Sequence, residues 1–202
     1  WPELALALGA LLVLGIDLFG RRDPGSVKAG SFAIFFQFVL LIVHLFDYLL
    51  WHHTFDRESF SGMLAHGIQG DVMRSFFLLS SLLVSILAHR HNALRNFRCS
   101  EFHHLTMLAT AGLMILCQSQ NFLLFFVALE TVALSFYPLV AYNWECPKSL
   151  EAGIKYLIFG ALSSTLLLFG VVLLYGVGSN PEGWGAVWNG ASGQDALSFA
   201  YL

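Results

Sequence analysis

Apolar residues arrive in this chain in blocks of roughly twenty, set apart by short polar stretches. That is about the length a helix needs to cross the hydrocarbon core of a bilayer. A soluble domain shows apolar stripes instead, and about a quarter of its residues are charged. Here 57% of the 202 residues are hydrophobic, 11% are charged and the mean hydropathy is +0.69. The sequence therefore predicts an all-α, polytopic transmembrane bundle.

Several function classes fall away at once. The net charge is −3 and no run of Lys or Arg offers a stripe for phosphates, which excludes nucleic-acid binding. No GxGxxG or P-loop is present to hold a nucleotide. Cys99, Cys117 and Cys146 have no CxxC spacing, so they form neither a disulfide framework nor a metal or iron–sulfur ligand set.

Six spans are expected, at about Glu3 to Phe19, Gly30 to Trp51, Asp71 to Ala88, Phe102 to Cys117, Asn121 to Tyr142 and Leu150 to Tyr175. Tyr48 and Trp51 suit a membrane boundary, where rings with a polar edge concentrate. Phe60, Met63, Leu64 and Ile68 share one helical face, which predicts a short helix on the membrane surface. Only Gln118, Ser119 and Gln120 separate the fourth and fifth spans, so these must be antiparallel neighbours. Residues after Gly176 are rich in Gly and Asn. The apolar run Ala196 to Leu202 reads as the start of a seventh span, and with Trp1 at the other end it predicts a segment of a longer membrane protein.

Basic residues set the expected orientation. Arg21, Arg22, Lys28, Arg90, Arg95, Arg98 and Lys148 fall in the first, third and fifth loops. The opposite side carries only Arg57 and Arg74. Positive charge is retained in the cytoplasm, so the N-terminus is expected outside.

Against this background Glu130 stands out. Phe122 to Leu129 before it carry no charge, and none follows until Glu145. At about 1.5 Å per residue it lies near the bilayer midplane. A carboxylate there costs several kcal/mol unless protonated, paired or hydrated. Burial penalises its charged form and a nearby cation favours it, so such a group can be poised to gain and lose a proton. The competing reading is a Glu that only hydrogen-bonds a neighbouring helix. Pro138, eight residues on, lacks an amide hydrogen and clashes with the carbonyl of Leu134, which predicts a kink.

Lys155 lies early in the sixth span and has two readings. Glu151 at i−4 offers a local ion pair in the favoured order. Alternatively Lys155 turns inward and exchanges protons with Glu130 through water. Asp17, with Arg21 at i+4, and the pair His44 and Asp47 read as solvated or interfacial. His52-His53 and His103-His104 are adjacent pairs whose side chains point roughly 100° apart on a helix, so no metal site is expected from them. Gly160 and Ser164 form a small-xxx-small pair suited to close helix packing.

The stretch from Phe122 to Gly176 contains Ala128-Leu129-Glu130-Thr131, Pro138-Leu139-Val140-Ala141-Tyr142 and Ser149-Leu150-Glu151-Ala152-Gly153-Ile154-Lys155-Tyr156, then the run Leu166 to Gly176. It resembles the antiporter-like membrane subunits of respiratory complex I. That resemblance implies a proton-translocating subunit of NADH:quinone oxidoreductase in a bacterial inner membrane. The whole of residues 1–202 would be one transmembrane domain, with the first of two inverted repeats starting near residue 71. Glu130 and Lys155 would carry proton transfer, Pro138 the helix kink and Glu151 a supporting charge. The family's seventh- and eighth-helix lysines would lie beyond Leu202. No cofactor is expected in this chain; NADH, FMN, iron–sulfur clusters and quinone would sit in partner subunits, and the lipid bilayer and other membrane subunits would be its partners. Subunits of multi-subunit sodium/proton exchangers and of membrane-bound hydrogenases share the pattern. A structural subunit whose buried charges only set helix register is the reading from another class.

Overall fold

A computed structural model describes residues 2–19, 27–51, 57–59, 64–90, 99–143 and 145–178. The Asp17–Arg21 pair, the His52-His53 pair, Phe60 and Met63, and the expected seventh span lie outside the described residues or side chains. Six helices follow the apolar blocks: α1 (Pro2–Phe19), α2 (Val27–Trp51), α3 (Ile68–Arg90), α4 (Cys99–Leu116), α5 (Phe122–Val140) and α6 (Pro147–Gly178). α2, α3, α5 and α6 are long and apolar enough to cross a membrane, and α1 is a shorter apolar helix.

The helix ends follow local chemistry. Pro2 and Pro147 open α1 and α6, where a missing amide hydrogen costs nothing. Asn121 caps α5, its side chain accepting from the Leu123 amide at 2.8 Å. Arg90 ends α3, where its positive charge suits the helix dipole. Thr106, Thr110, Thr131 and Ser135 each donate to the carbonyl four residues back, which satisfies their hydroxyls inside an apolar helix.

One expected helix is replaced by strands. β1 (Arg57–Ser59) and β2 (Leu64–His66) pair antiparallel, with Glu58 opposite Ala65. Leu64 therefore belongs to a strand and Ile68 to the start of α3, so they share no surface helix. β2 also bridges to Ser119 in the α4–α5 turn. That backbone pairing is a long-range contact, invisible to a reading of helical faces.

α4 is the hub of the bundle. It packs against α1, α2, α3 and α5, and the α4–α5 pair is antiparallel as the short turn requires. The core between α1, α2, α3 and α4 is built from Leu6, Ala10, Val13, Ala33, Leu41, Leu78, Met107, Ala111 and Met114. Alanines at three of these positions let the backbones approach closely. α6 reaches the bundle through α5, and most of its apolar surface is open: Ile154, Phe159, Leu166 and Phe169 are each at least 60% exposed.

Candidate functional site

α5 and α6 cross so that a small cleft forms between them at the level of Glu130. Its walls include Glu130 and Tyr137 from α5, and Tyr156, Gly160, Ser163 and Ser164 from α6. The Tyr137 hydroxyl lies so close to Gly160 that a Cβ there would sit 2.4 Å away. Its ring meets Tyr156 edge-on at 5.3 Å between centroids. Gly160 therefore does serve close packing, admitting a tyrosine from α5, while Ser164 lines the cleft.

Glu130 itself is half-buried, and its Oε1 is buried with no hydrogen-bond partner among the described residues. Buried polar atoms in folded proteins are almost always partnered, so an orphan carboxylate oxygen beside a polar cleft marks a place where something must be supplied. The cleft holds about 170 Å³. That suits a handful of waters at about 30 Å³ each, and falls below the roughly 300 Å³ at which small-molecule sites begin.

Lys155 is not at this cleft. Its Nζ lies 2.5 Å from Glu151 Oε1 and both side chains are more than 60% exposed. The i,i+4 pair faces away from α5, although Tyr156 next to it lines the cleft. Pro138 falls in the last turn of α5, two residues before the helix ends at Val140. Ser149 at the start of α6 donates to the Val140 carbonyl at 3.1 Å, tying the helix end to the next helix.

A second polar assembly was not foreseen from the sequence. Arg74, counted above only toward orientation, lies inside α3 at 5% exposure. Its Nε is 2.7 Å from Glu3 Oε1 in α1, and its Nη1 donates to Asp71 Oδ1 at 2.9 Å. Its Nη2 donates to Gln118 Oε1 in the α4–α5 turn. Gln118 Nε2 closes the circuit, donating to Glu3 Oε1 at 3.0 Å and to the Met114 carbonyl. His44, read as solvated or interfacial, is buried within the bundle, with its Nε2 3.3 Å from the Asp71 carbonyl oxygen. Asp47 is exposed. The only available signal was that Glu3, Asp71 and Gln118 all sit at span ends on the same side of the bundle.

Residues 119–182 match the family model described as NADH:quinone oxidoreductase/Mrp antiporter, TM. The chain is 47% identical over 182 residues to NADH-quinone oxidoreductase subunit N 1 of Opitutus terrae, covering 89% of this chain and 35% of that protein. This segment is similar to the antiporter-like membrane subunits of respiratory complex I. A structure of respiratory complex I from Thermus thermophilus with bound aureothin matches at a TM-score of 0.68 and 26% identity, covering 88% of this chain and 37% of the other. The membrane-bound sulfane sulfur reductase, an archaeal respiratory membrane complex, shares the fold at a TM-score of 0.68 and 22% identity.

The chain spans about a third of the length of the curated relatives it matches. Within the antiporter-like family match lie α5, α6 and the whole cleft, with Glu130, Pro138, Glu151 and Lys155. Glu3, Asp71, Arg74 and Gln118 fall outside it.

Proposed function

We propose that the chain is part of a proton-translocating membrane subunit of an NADH:quinone oxidoreductase, with Glu130 as the group that takes up and releases the proton. The orphan Oε1 of Glu130 beside a water-sized polar cleft carries this reading. A carboxyl facing waters between two helices can pass a proton without any bound substrate. Electron transfer from NADH to quinone belongs to partner subunits on this reading, together with FMN and the iron–sulfur clusters. The likeness to subunit N proteins supports a hetero-oligomeric assembly with other complex I membrane subunits in a bacterial inner membrane.

On this reading all six helices cross the bilayer with the N-terminus outside, a seventh span opens near residue 196, and the first inverted repeat begins near residue 71 within a single domain 1–202. Lys155, salt-bridged to Glu151 on the open face of α6, is the second proton-transfer group. It acts once that pair opens toward a helix packed over α6. Moving one charge through 100 mV costs about 2.3 kcal/mol, the scale by which Glu130 must change its hold on the proton during a cycle.

The test is Glu130→Gln in the complete complex, which keeps shape and removes the titrating oxygen. Removing a positioned acid–base group costs roughly a hundredfold or more, so proton pumping into vesicles should fall by that order while Glu130→Asp retains part of it. Pumping at the wild-type rate in Glu130→Gln would refute the proposal. A second reading, a subunit of a proton/cation exchanger, is favoured by the family description, which joins NADH:quinone oxidoreductase and Mrp antiporter. Sodium-dependent pH exchange without NADH identifies that case.

A further inference from the structure

At the end of the bundle opposite the Glu3–Arg74 assembly, three helices bring two histidines together. Gly30 lies in the first turn of α2, His89 in the last turn of α3 and His103 in the second turn of α4. His103 is fully buried, and neither of its ring nitrogens has a hydrogen-bond partner among the described residues. Its neighbour His104 shows the ordinary outcome for a core histidine, with Nδ1 2.8 Å from the Ala10 carbonyl oxygen. His103 lacks that resolution.

A Cβ placed on Gly30 would lie 3.1 Å from His103 Nε2 and 3.2 Å from His89 Nδ1. Two ring nitrogens from different helices therefore converge on the bare backbone of a glycine, closer than a side chain there would allow. The two rings stand 6.3 Å apart between centroids. No group of three His, Cys, Asp or Glu that could hold a metal occurs among the described residues, so neither a carboxylate nor a thiol joins this pair. Adjacent histidines along one helix could not build such a site, because they diverge; histidines on neighbouring helices can.

We propose that His89 and His103 form a two-imidazole site for a divalent transition metal, for which Zn²⁺ is the probe, with Gly30 allowing both rings to approach α2. Imidazole nitrogen suits zinc, copper and nickel, whereas Ca²⁺ and Mg²⁺ require oxygen ligands that are absent from the pair. Zn–N bonds are about 2.0–2.1 Å and zinc is almost always four-coordinate, so two imidazoles leave two positions for water. A metal here pins the end of α3 to the start of α4. The inference stands apart from the role of Glu130.

The experiment is a calorimetric Zn²⁺ titration of the complete protein in detergent, following its tightest site. Losing a direct ligand should cost no less than the ten- to hundredfold, roughly, that losing an outer partner of a ligand costs. That weakening is expected in His89→Gln, whose half-exposed position makes folding secure, and in His103→Gln. Gly30→Ala should weaken binding too, although both rings remain, because the methyl group would press on both ring nitrogens. His44→Gln, at the other end of the bundle, should leave the affinity unchanged. Wild-type affinity in His89→Gln, or no Zn²⁺ binding by the wild-type protein, overturns the proposal.

Discussion

Replacing Arg74 by leucine is expected to destabilise the protein by about 3–5 kcal/mol, the cost of removing one partner from a buried ion pair. The cause is what remains behind. Glu3 is 7% exposed and would keep its carboxylate without the Arg74 guanidinium 2.7 Å away. Asp71 and Gln118 would lose their Arg74 hydrogen bonds in the same step. Arginine is the only side chain that can serve all three, because its planar fork carries five donors in fixed directions. Lysine offers a point charge and should recover only part of the loss. Changing both Glu3→Gln and Arg74→Leu should cost less than the sum of the two single changes, since neither then strands a charge. Thermal unfolding of the purified protein measures all of these. A loss below about 1 kcal/mol for Arg74→Leu, the range of exposed pairs, would show that the assembly is solvated and not a brace.

The second large effect is expected at Gly112. A Cβ there would meet Val132 Cγ2 at 2.8 Å, and the Ala128 carbonyl oxygen and Val132 amide nitrogen at 3.3 Å. A valine methyl can rotate away; the backbone of α5 cannot. Gly112→Ala should therefore cost about 1 kcal/mol and Gly112→Leu about 3 kcal/mol, the span typical of overpacking. Glu130 lies between Ala128 and Val132 on the turn that would be displaced. Gly112→Leu should consequently reduce proton pumping per assembled complex, and not only the amount assembled. Full pumping per complex in Gly112→Leu would mean that the position of α5 against α4 does not matter to Glu130.

How much of this was readable beforehand depended on the range of the interaction. Six helices emerge close to the apolar blocks because crossing length is a local property of composition. The antiparallel α4–α5 pair followed from a three-residue connection. The isolation of Glu130 among apolar residues was equally plain, and so was the possibility that Lys155 finds Glu151, four residues away on its own helix. The β1–β2 ribbon was missed because this segment was read by helical face, which hides three-residue strands, and the Leu64 bridge to Ser119 is set by pairing across the chain. His44 was read as solvated or interfacial because nearness to a span end resembles nearness to water, and Arg74 was weighed only as a charge that sets orientation.

The sequence by itself determined that the chain makes apolar helices of membrane-crossing length and that one of them carries a lone carboxylate at its middle. Both follow from residues adjacent along the chain, through helical rise and the cost of burying charge. Only the tertiary structure decided which groups meet. Glu3, Arg74 and Gln118 are brought together from 115 positions apart, His89 and His103 from facing helices, and Tyr137 with Gly160 beside the Glu130 cleft. Those meetings depend on which faces of the helices pack, and that is settled by the fit of Gly112 and the core alanines to their neighbours, not by any periodicity within one helix.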